Sequence, residues 1–293
     1  MARILIVDGH AYAYRAFYAI RSLHAPDGQP TNAIYGFIKM LAKMRARVEP
    51  THGIVVWDGG LCAERVSALP EYKAQRAEMP GDLEKQLDEI GKYLDAAGVA
   101  RFCAAGIEAD DYIAFVARES EQSGWEVVIA SSDKDFMQLV SPTVGLLNPN
   151  DKTETIWHAE QVRAKTGVGP EQIVDWLSLL GDSVDNIPGV PGIGPKTATE
   201  LLTRFGSVAE LYRRLSEVKS DRIRNALSLA EGTVRRNQEL VQLRLKSAEA
   251  INLEDFRLRP MNTARLAELF REWGFRSMLA EVSAAGLKQS ELI

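Results

Sequence analysis

Three apolar runs in this sequence each lead into aspartate. Ile4-Leu5-Ile6-Val7 ends at Asp8, Ile54-Val55-Val56-Trp57 at Asp58, and VVIASS at Asp133, with Asp135 two residues further on. Ligand sites of parallel α/β sheets lie outside the carboxyl ends of the strands. Three strands would therefore bring carboxylates to one rim. Glu108, Asp110 and Asp111 follow another short strand and open a helix, where capping alone could account for them. Asp182 and Asp185 stand three apart, on one side of an expected helical turn. Together these are nine acids. Two unit charges at 4 Å repel by ~4 kcal/mol at an effective dielectric near 20. A shared pocket thus demands that several be protonated or that divalent cations be bound. Oxygen ligands without His or Cys select hard ions, Mg²⁺ or Mn²⁺. Two such ions ~3.5–4 Å apart activate a water and stabilise a leaving oxygen, which is phosphoryl-transfer chemistry.

A second motif reads GVPGIGPKTA from Gly189. Pro195 stands between Gly194 and Lys196, so the register of a nucleotide-binding P-loop fails. A helix-hairpin-helix fits better, at about 181–204. Gly189, Gly192 and Gly194 permit close backbone approach, and Pro195 suits the first turn of a helix. With Val190, Ile193, Lys196 and Thr197 they form a site where helix N–H groups and a cation meet a phosphate. Such contacts position a duplex without reading its sequence. Between Asn186 and Lys246 there are eleven bases and six acids, a local +5 in a chain of net −5. Tyr14 and Arg15 lie just beyond Asp8, flanked by Tyr12, Phe17 and Tyr18. Core packing and stacking on an unpaired base are both open for these rings. The stretch 59–81 resists assignment and contains Arg65, Tyr72, Lys73 and Arg76. A long irregular loop beside Asp58 is placed to cover the pocket and grip a phosphate.

The elements that must hold these groups follow from periodicity. Unalternating apolar runs at 4–7, 54–57 and 127–130, with a short strand near 101–103, read as buried strands. Helices are expected over 12–20, 33–47, 82–97 and 109–122. Leu83, Leu87, Ile90 and Leu94 give the third of these an apolar stripe, and Gly98 ends it. Strands alternating with helices predict a mostly parallel sheet covered on both faces. From about residue 167 the pattern turns almost wholly helical, so the domains expected are 1–167 and 168–293. Hydrophobic residues make up 46% of the 293 and charged residues 26%, which excludes global disorder. The two cysteines, Cys62 and Cys103, exclude a disulfide scaffold and are expected as reduced, part-buried thiols of a cytosolic chain. His10, His24, His52 and His158 stand apart, without zinc spacing. No apolar run reaches 18 residues, so no membrane span is expected.

Several segments, taken in order, identify a resemblance. They are VDGHAYAYRAFYA from Val7, AIYGF from Ala33, VVWD ending at Asp58, YKAQR from Tyr72, EADDYIA from Glu108, SSDKDFMQLV from Ser131 and GDSVDNIPGVPGIGPKTA from Gly181. The chain resembles, over nearly its whole length, the 5′ nuclease family. Within it, the match is to the bacterial 5′→3′ exonuclease/flap endonuclease domain found at the N-terminus of DNA polymerase I and as free-standing proteins. The resemblance implies a PIN-like core with a C-terminal helix-hairpin-helix region, and hydrolysis of DNA at 5′ single-strand/duplex junctions in replication and repair. It implies a first metal at Asp8, Asp58, Glu108, Asp110 and Asp111, and a second at Asp133, Asp135, Asp182 and Asp185. Lys73 and Arg76 would stand at the base of an arch, at about 59–97, through which a 5′ strand threads. Tyr14 would stack on the base beside the cut and Arg15 would support the rim. A K⁺ ion would accompany the hairpin. The expected substrates are 5′ flaps, nicks, 5′ overhangs and RNA-primed ends. The expected setting is a cytoplasmic, nucleoid-associated monomer working with a polymerase in cis or in trans. A PIN-type ribonuclease and a non-catalytic branched-DNA binder are the alternatives. The basic hairpin argues against the first, and the full set of acids against the second.

Overall fold

The computed structural model describes residues 1–151, 153, 155–245 and 250–290, the last six of these without their side chains. Lys246, one of the bases counted above, lies outside the described residues. The first half runs β1 (Arg3–Asp8), α1 (Gly9–Ala19), α2 (Asn32–Val48), β2 (His52–Val56), α3 (Ala63–Ala68), α4 (Gly81–Ala96), β3 (Ala100–Phe102), α5 (Ala109–Gln122) and β4 (Glu126–Ala130). A 3₁₀ turn (Lys134–Leu139), β5 (Val144–Leu147), β6 (Ile156–Trp157) and α6 (Ala159–Thr166) follow. The second half comprises α7 (Ile173–Leu180), β7 (Gly181–Asp182), β8 (Ile187–Pro188), α8 (Pro195–Phe205), α9 (Val208–Arg213), α10 (Asp221–Val241), α11 (Thr263–Glu272) and α12 (Arg276–Ser290).

Six strands make one sheet in the order β3-β2-β1-β4-β5-β6, parallel throughout except at the β5–β6 edge. Side chains alternate across a strand. Ile4 and Ile6 enter one core with Ile54, Val127 and Ile129, while Leu5 and Val7 enter the other with Val55 and Val128. Helix α5 covers the first face, and α7, α8 and α10 continue that core outward from it. Helices α1, α2 and α4 cover the second. Both faces are therefore dry, which is why the strands read as unbroken apolar runs. The stripe of α4 is buried at Leu83, Ile90 and Leu94, and Gly98 turns the chain with a left-handed φ of 67°.

Two features depart from the sequence reading, and one goes beyond it. Residues 182–185 do not form a helical turn: Asp182 ends β7, which pairs antiparallel with β8 across a tight hairpin. The helical second half, whose placement the sequence reading left open, packs on both sides of the sheet. The first core runs from the sheet through Val162, Val168 and Ile173 into α10, whereas α11 and α12 return to the opposite face. There Leu266, Phe270, Trp273, Met278 and Val282 pack with Leu5, Phe37 and Leu94. The cysteines also differ from each other, since Cys62 is buried and Cys103 exposed, both as free thiols. Among the described residues no helix is long and apolar enough to cross a membrane.

Candidate active site

The parallel register explains the rim. Asp8 lies opposite Val56, and Val7 opposite Ala130. The residues that follow β2 and β4, among them Asp58 and Asp133, leave the sheet beside Asp8 at its carboxyl edge. Asp8 caps α1, accepting from the Ala11 N–H at 3.1 Å and, through its other oxygen, from the Ser131 hydroxyl at 2.8 Å. Asp58 accepts from the Gly60 N–H at 2.8 Å, and its own N–H donates to His10 Nδ1 at 3.0 Å. That bond makes Nδ1 an acceptor, and burial lowers the His10 pKa against the pull of Asp58. Asp133 caps the 3₁₀ turn and accepts from the Asp135 N–H at 2.9 Å. The Oδ1 of Asp135 is buried and finds no hydrogen-bond partner among the described residues. Asp182 accepts from the Val184 N–H at 2.9 Å, and Lys134 reaches its carboxylate at 3.2 Å.

The charges of these acids are felt from one to the next. Burial raises the pKa of Asp8 to about 6, with the charges of Asp110 and Asp58 adding to the effect and two hydrogen bonds opposing it. Burial and Asp133 raise Asp110 to about 7. Asp133 rises to about 6 through burial, reinforced by Asp185, Asp8 and Asp182. Asp135 is pushed well above the carboxylate range by burial and by Asp133, Asp110, Asp182 and Asp185. Seven aspartates, at 8, 58, 110, 133, 135, 182 and 185, thus share one electrostatic field.

Two acids of the expected nine are engaged otherwise. Glu108 is 1% exposed, and both its oxygens are occupied. It accepts from the Cys62 N–H at 2.8 Å, Lys73 Nζ at 2.6 Å and the Tyr72 hydroxyl at 3.0 Å, and Arg65 stands at 3.2 Å. Burial works to raise its pKa, but Lys73 and Arg65 outweigh burial and hold it low. Asp111 takes two bonds from Arg65, at 2.9 and 2.8 Å, and one from the Arg244 N–H. Both acids are satisfied by the protein's own cations, as a buried carboxylate must be. Arg65 and Tyr72, which the sequence reading placed only in a loop covering the pocket, hold these acids from within, and Ser131 and Lys134 are site residues to which it assigned no role. Lys134 could have been found there, since it stands between Asp133 and Asp135.

Lys73 is buried beside Asp110 and Asp185 of the cup. Beyond Glu108 it lies 3.7 Å from Asp110 and 3.8 Å from Asp185, and its N–H donates to the Asp185 carbonyl. Arg76 pairs with Asp185 at 2.7 Å. Tyr14 is half-buried, and Arg15 bonds the Asn150 side chain rather than an acid of the cup. With these lysines and arginines in place, no three His, Cys, Asp or Glu side chains among the described residues form a ready-made metal site. The donor set nonetheless fits hard divalent ions. It is all oxygen, several acids resist ionisation, and one buried oxygen lacks any partner.

The glycine-proline segment joins β8 to α8, with Gly194 as N-cap and Pro195 in the first turn. Gly192 has a φ of 79°, and the Arg222 guanidinium of α10 lies where a Cβ would stand. Val190 and Ile193 differ from the other candidate residues of this segment. Both side chains are buried, and their N–H groups already donate to the Leu179 and Val190 carbonyls. They anchor the hairpin, while Gly192, Gly194 and Lys196 lie exposed and Thr197 half-exposed. Asn237 ties α10 to this unit through the carbonyls of Ser178 and Pro188.

Comparison with known proteins bears on the family and the fold. Residues 3–167 match the model of the 5′-3′ exonuclease N-terminal resolvase-like domain, and residues 168–264 that of the 5′-3′ exonuclease C-terminal SAM fold. A 5′-3′ exonuclease of Aquifex aeolicus is 36% identical over 283 residues, 96% of each chain. DNA polymerase I of Bacillus caldotenax is 36% identical over 99% of this chain but only 33% of its own length. The chain therefore spans about a third of such polymerases. The bacteriophage T5 flap endonuclease, solved as a pseudo-enzyme–product complex with DNA and metal ions, shares the fold at a TM-score of 0.67, with 22% identity over 99% of both chains. On the two domain models and the full-length relative, the chain belongs to the 5′-3′ exonuclease family.

Proposed function

We propose that this chain hydrolyses DNA phosphodiesters at 5′ single-strand/duplex junctions, acting on flaps, nicks, 5′ overhangs and RNA-primed ends. The observation that carries this reading is the convergence of seven aspartates in one field, with a buried unpartnered oxygen on Asp135. Asp8, Asp58, Asp110, Asp133, Asp135, Asp182 and Asp185 would hold two divalent ions, Mg²⁺ or Mn²⁺. Such a pair supplies an activated water and a stabilised leaving oxygen. Glu108 and Asp111 act from behind, fixing Lys73 and Arg65. Lys73 and Arg76 keep positive charge at the cup, where charge develops on the scissile phosphate. Tyr14 stacks on the base beside the cut, and Arg15 braces the rim through Asn150. Gly189, Gly192, Gly194, Lys196 and Thr197 hold the downstream duplex, with K⁺ at the turn. The same reading makes the chain a cytoplasmic, nucleoid-associated monomer that works beside a polymerase.

A 5′-flap duplex incubated with Mg²⁺ tests the proposal. The wild type cuts near the junction. Asp133→Ala binds with similar affinity but loses more than about 100-fold in rate, because a ligand matters more than the outer partners, whose loss costs ~10–100-fold. Equal cutting of plain single-stranded RNA would support a ribonuclease instead, and absence of Mg²⁺-dependent cutting a binding protein.

A further inference from the structure

Helix α1 leaves the carboxylate cup at Asp8 and carries a second feature along its outer side. Tyr12, Ala13 and Ala16 face the core, while Ala11, Tyr14, Arg15 and Tyr18 fall on the opposite side. Tyr18 is 68% exposed. Its centroid lies 6.4 Å from that of Tyr14, with the planes 17° from parallel. Four residues of helix rise ~6 Å, so the two rings stand one turn apart on a single line. Phe17 meets Tyr18 edge-on at 5.2 Å and 81°, bracing it from the side. Tyr14, Arg15 and Tyr18 line a cavity of about 460 Å³ whose other wall includes Ser132 and Asn150. Ser132 adjoins Asp133, so this cavity borders the cup.

Covering Phe17 explains the edge contact of Tyr18. It explains neither the exposure of the ring nor its alignment with Tyr14. A solvated aromatic beside a phosphodiester site offers a π-face that any nucleobase can stack on. Building on the nuclease reading above, we propose that Tyr18 is a second base-stacking residue. It extends the Tyr14 platform by one turn, so that unpaired bases of the single-stranded arm are held along α1 outside the cup.

Binding in EDTA, where no strand is cut, tests this. One probe is a 5′-flap duplex, and the other is the same duplex with the two flap nucleotides next to the junction made abasic. Stacking on an aromatic side chain is base-dependent and backbone-independent, so the wild type binds the abasic flap at least tenfold more weakly. Tyr18→Ala binds the intact flap about tenfold more weakly, and its abasic penalty shrinks to about threefold. Tyr18→Phe restores both values. A merely structural role would weaken both probes equally. An unchanged abasic penalty in Tyr18→Ala, or wild-type affinity for the intact flap, overturns the assignment. Intact base discrimination in a wild type that cuts nothing with Mg²⁺ would instead overturn the nuclease reading and leave Tyr18 in its role.

Discussion

Lys73 adopts a left-handed backbone, with φ at 55°, a conformation that ordinary side chains avoid. The surroundings impose it: its N–H is tied to Asp185, and its ammonium to Glu108 at 2.6 Å. Burial alone would drive Lys73 toward the neutral amine, but Asp110, Asp185 and Glu108 keep it charged. Removing one partner of such a buried pair strands the other and costs about 3–5 kcal/mol. Lys73→Met is therefore expected to lose stability of that order in urea unfolding. Adding Glu108→Gln should recover much of the loss, because the stranded charge is then gone. Losses that simply add would show that the two groups do not act as a pair. The positions of most of the acids are legible in the sequence, since Asp8, Asp58, Asp133 and Asp135 follow strands and Glu108, Asp110 and Asp111 open a helix, whereas Asp182 and Asp185 sit on a hairpin that the sequence reading took for a helical turn. The division of labour among the acids is not legible there. Arg65 reaches the carbonyls of Leu240 and Gln242, 175 and 177 positions away, and no local pattern announces such a partner.

Among the elements, the unit formed by the β7–β8 hairpin, α8 and α10 is held by a buried core and by Asn237, and it presents a cationic edge. Arg222 opens α10 and lies over Gly192, which precedes Gly194 and Lys196 at the N-terminal end of α8. On the proposed function, a side chain there would contact phosphate and carry no sequence preference. Each phosphate contact contributes about one to the slope of log affinity against log salt. Arg222→Ala should therefore weaken duplex binding uniformly across sequences and lower that slope by about 1. An unchanged slope in a salt titration would remove Arg222 from the interface. This unit also shows where periodicity stops being informative. Helix α5 is read from sequence to its observed ends, 109–122, because its apolar stripe and acidic first turn agree. The two-residue strands β6, β7 and β8 are too short to show any period. Helix α3 has only six residues and lies between irregular turns, so 59–81 gave no signal.

On the scale of the whole molecule, a helical pattern reveals an apolar face but not the surface it will cover. The helical pattern after residue 167 therefore left the place of α11 and α12 open, and they are found across the sheet from α10. The same global packing concentrates the aspartates, and it ties stability to pH. In the unfolded chain Asp8, Asp110 and Asp133 ionise near 3.8, and in the folded chain near 6, 7 and 6. Between about pH 4 and 7 the folded state thus holds more protons than the unfolded state. Stability conferred by these groups is complete below that window and is lost as pH rises through it. His10 works in the opposite sense below about 6.5, since burial lowers its pKa and its protonation favours unfolding. Comparison with variants isolates the aspartates from this background. In EDTA, Asp110→Asn and Asp133→Asn should each melt a few degrees above the wild type at pH 7.5, and the gain should vanish by pH 4. Mg²⁺ should raise the wild-type melting temperature most at the alkaline end, where the folded carboxylates are ionised and free to bind it. Variants that melt no higher than the wild type at pH 7.5 would mean that the acids do not repel one another. The case for a cation-demanding cup would then lose its physical basis.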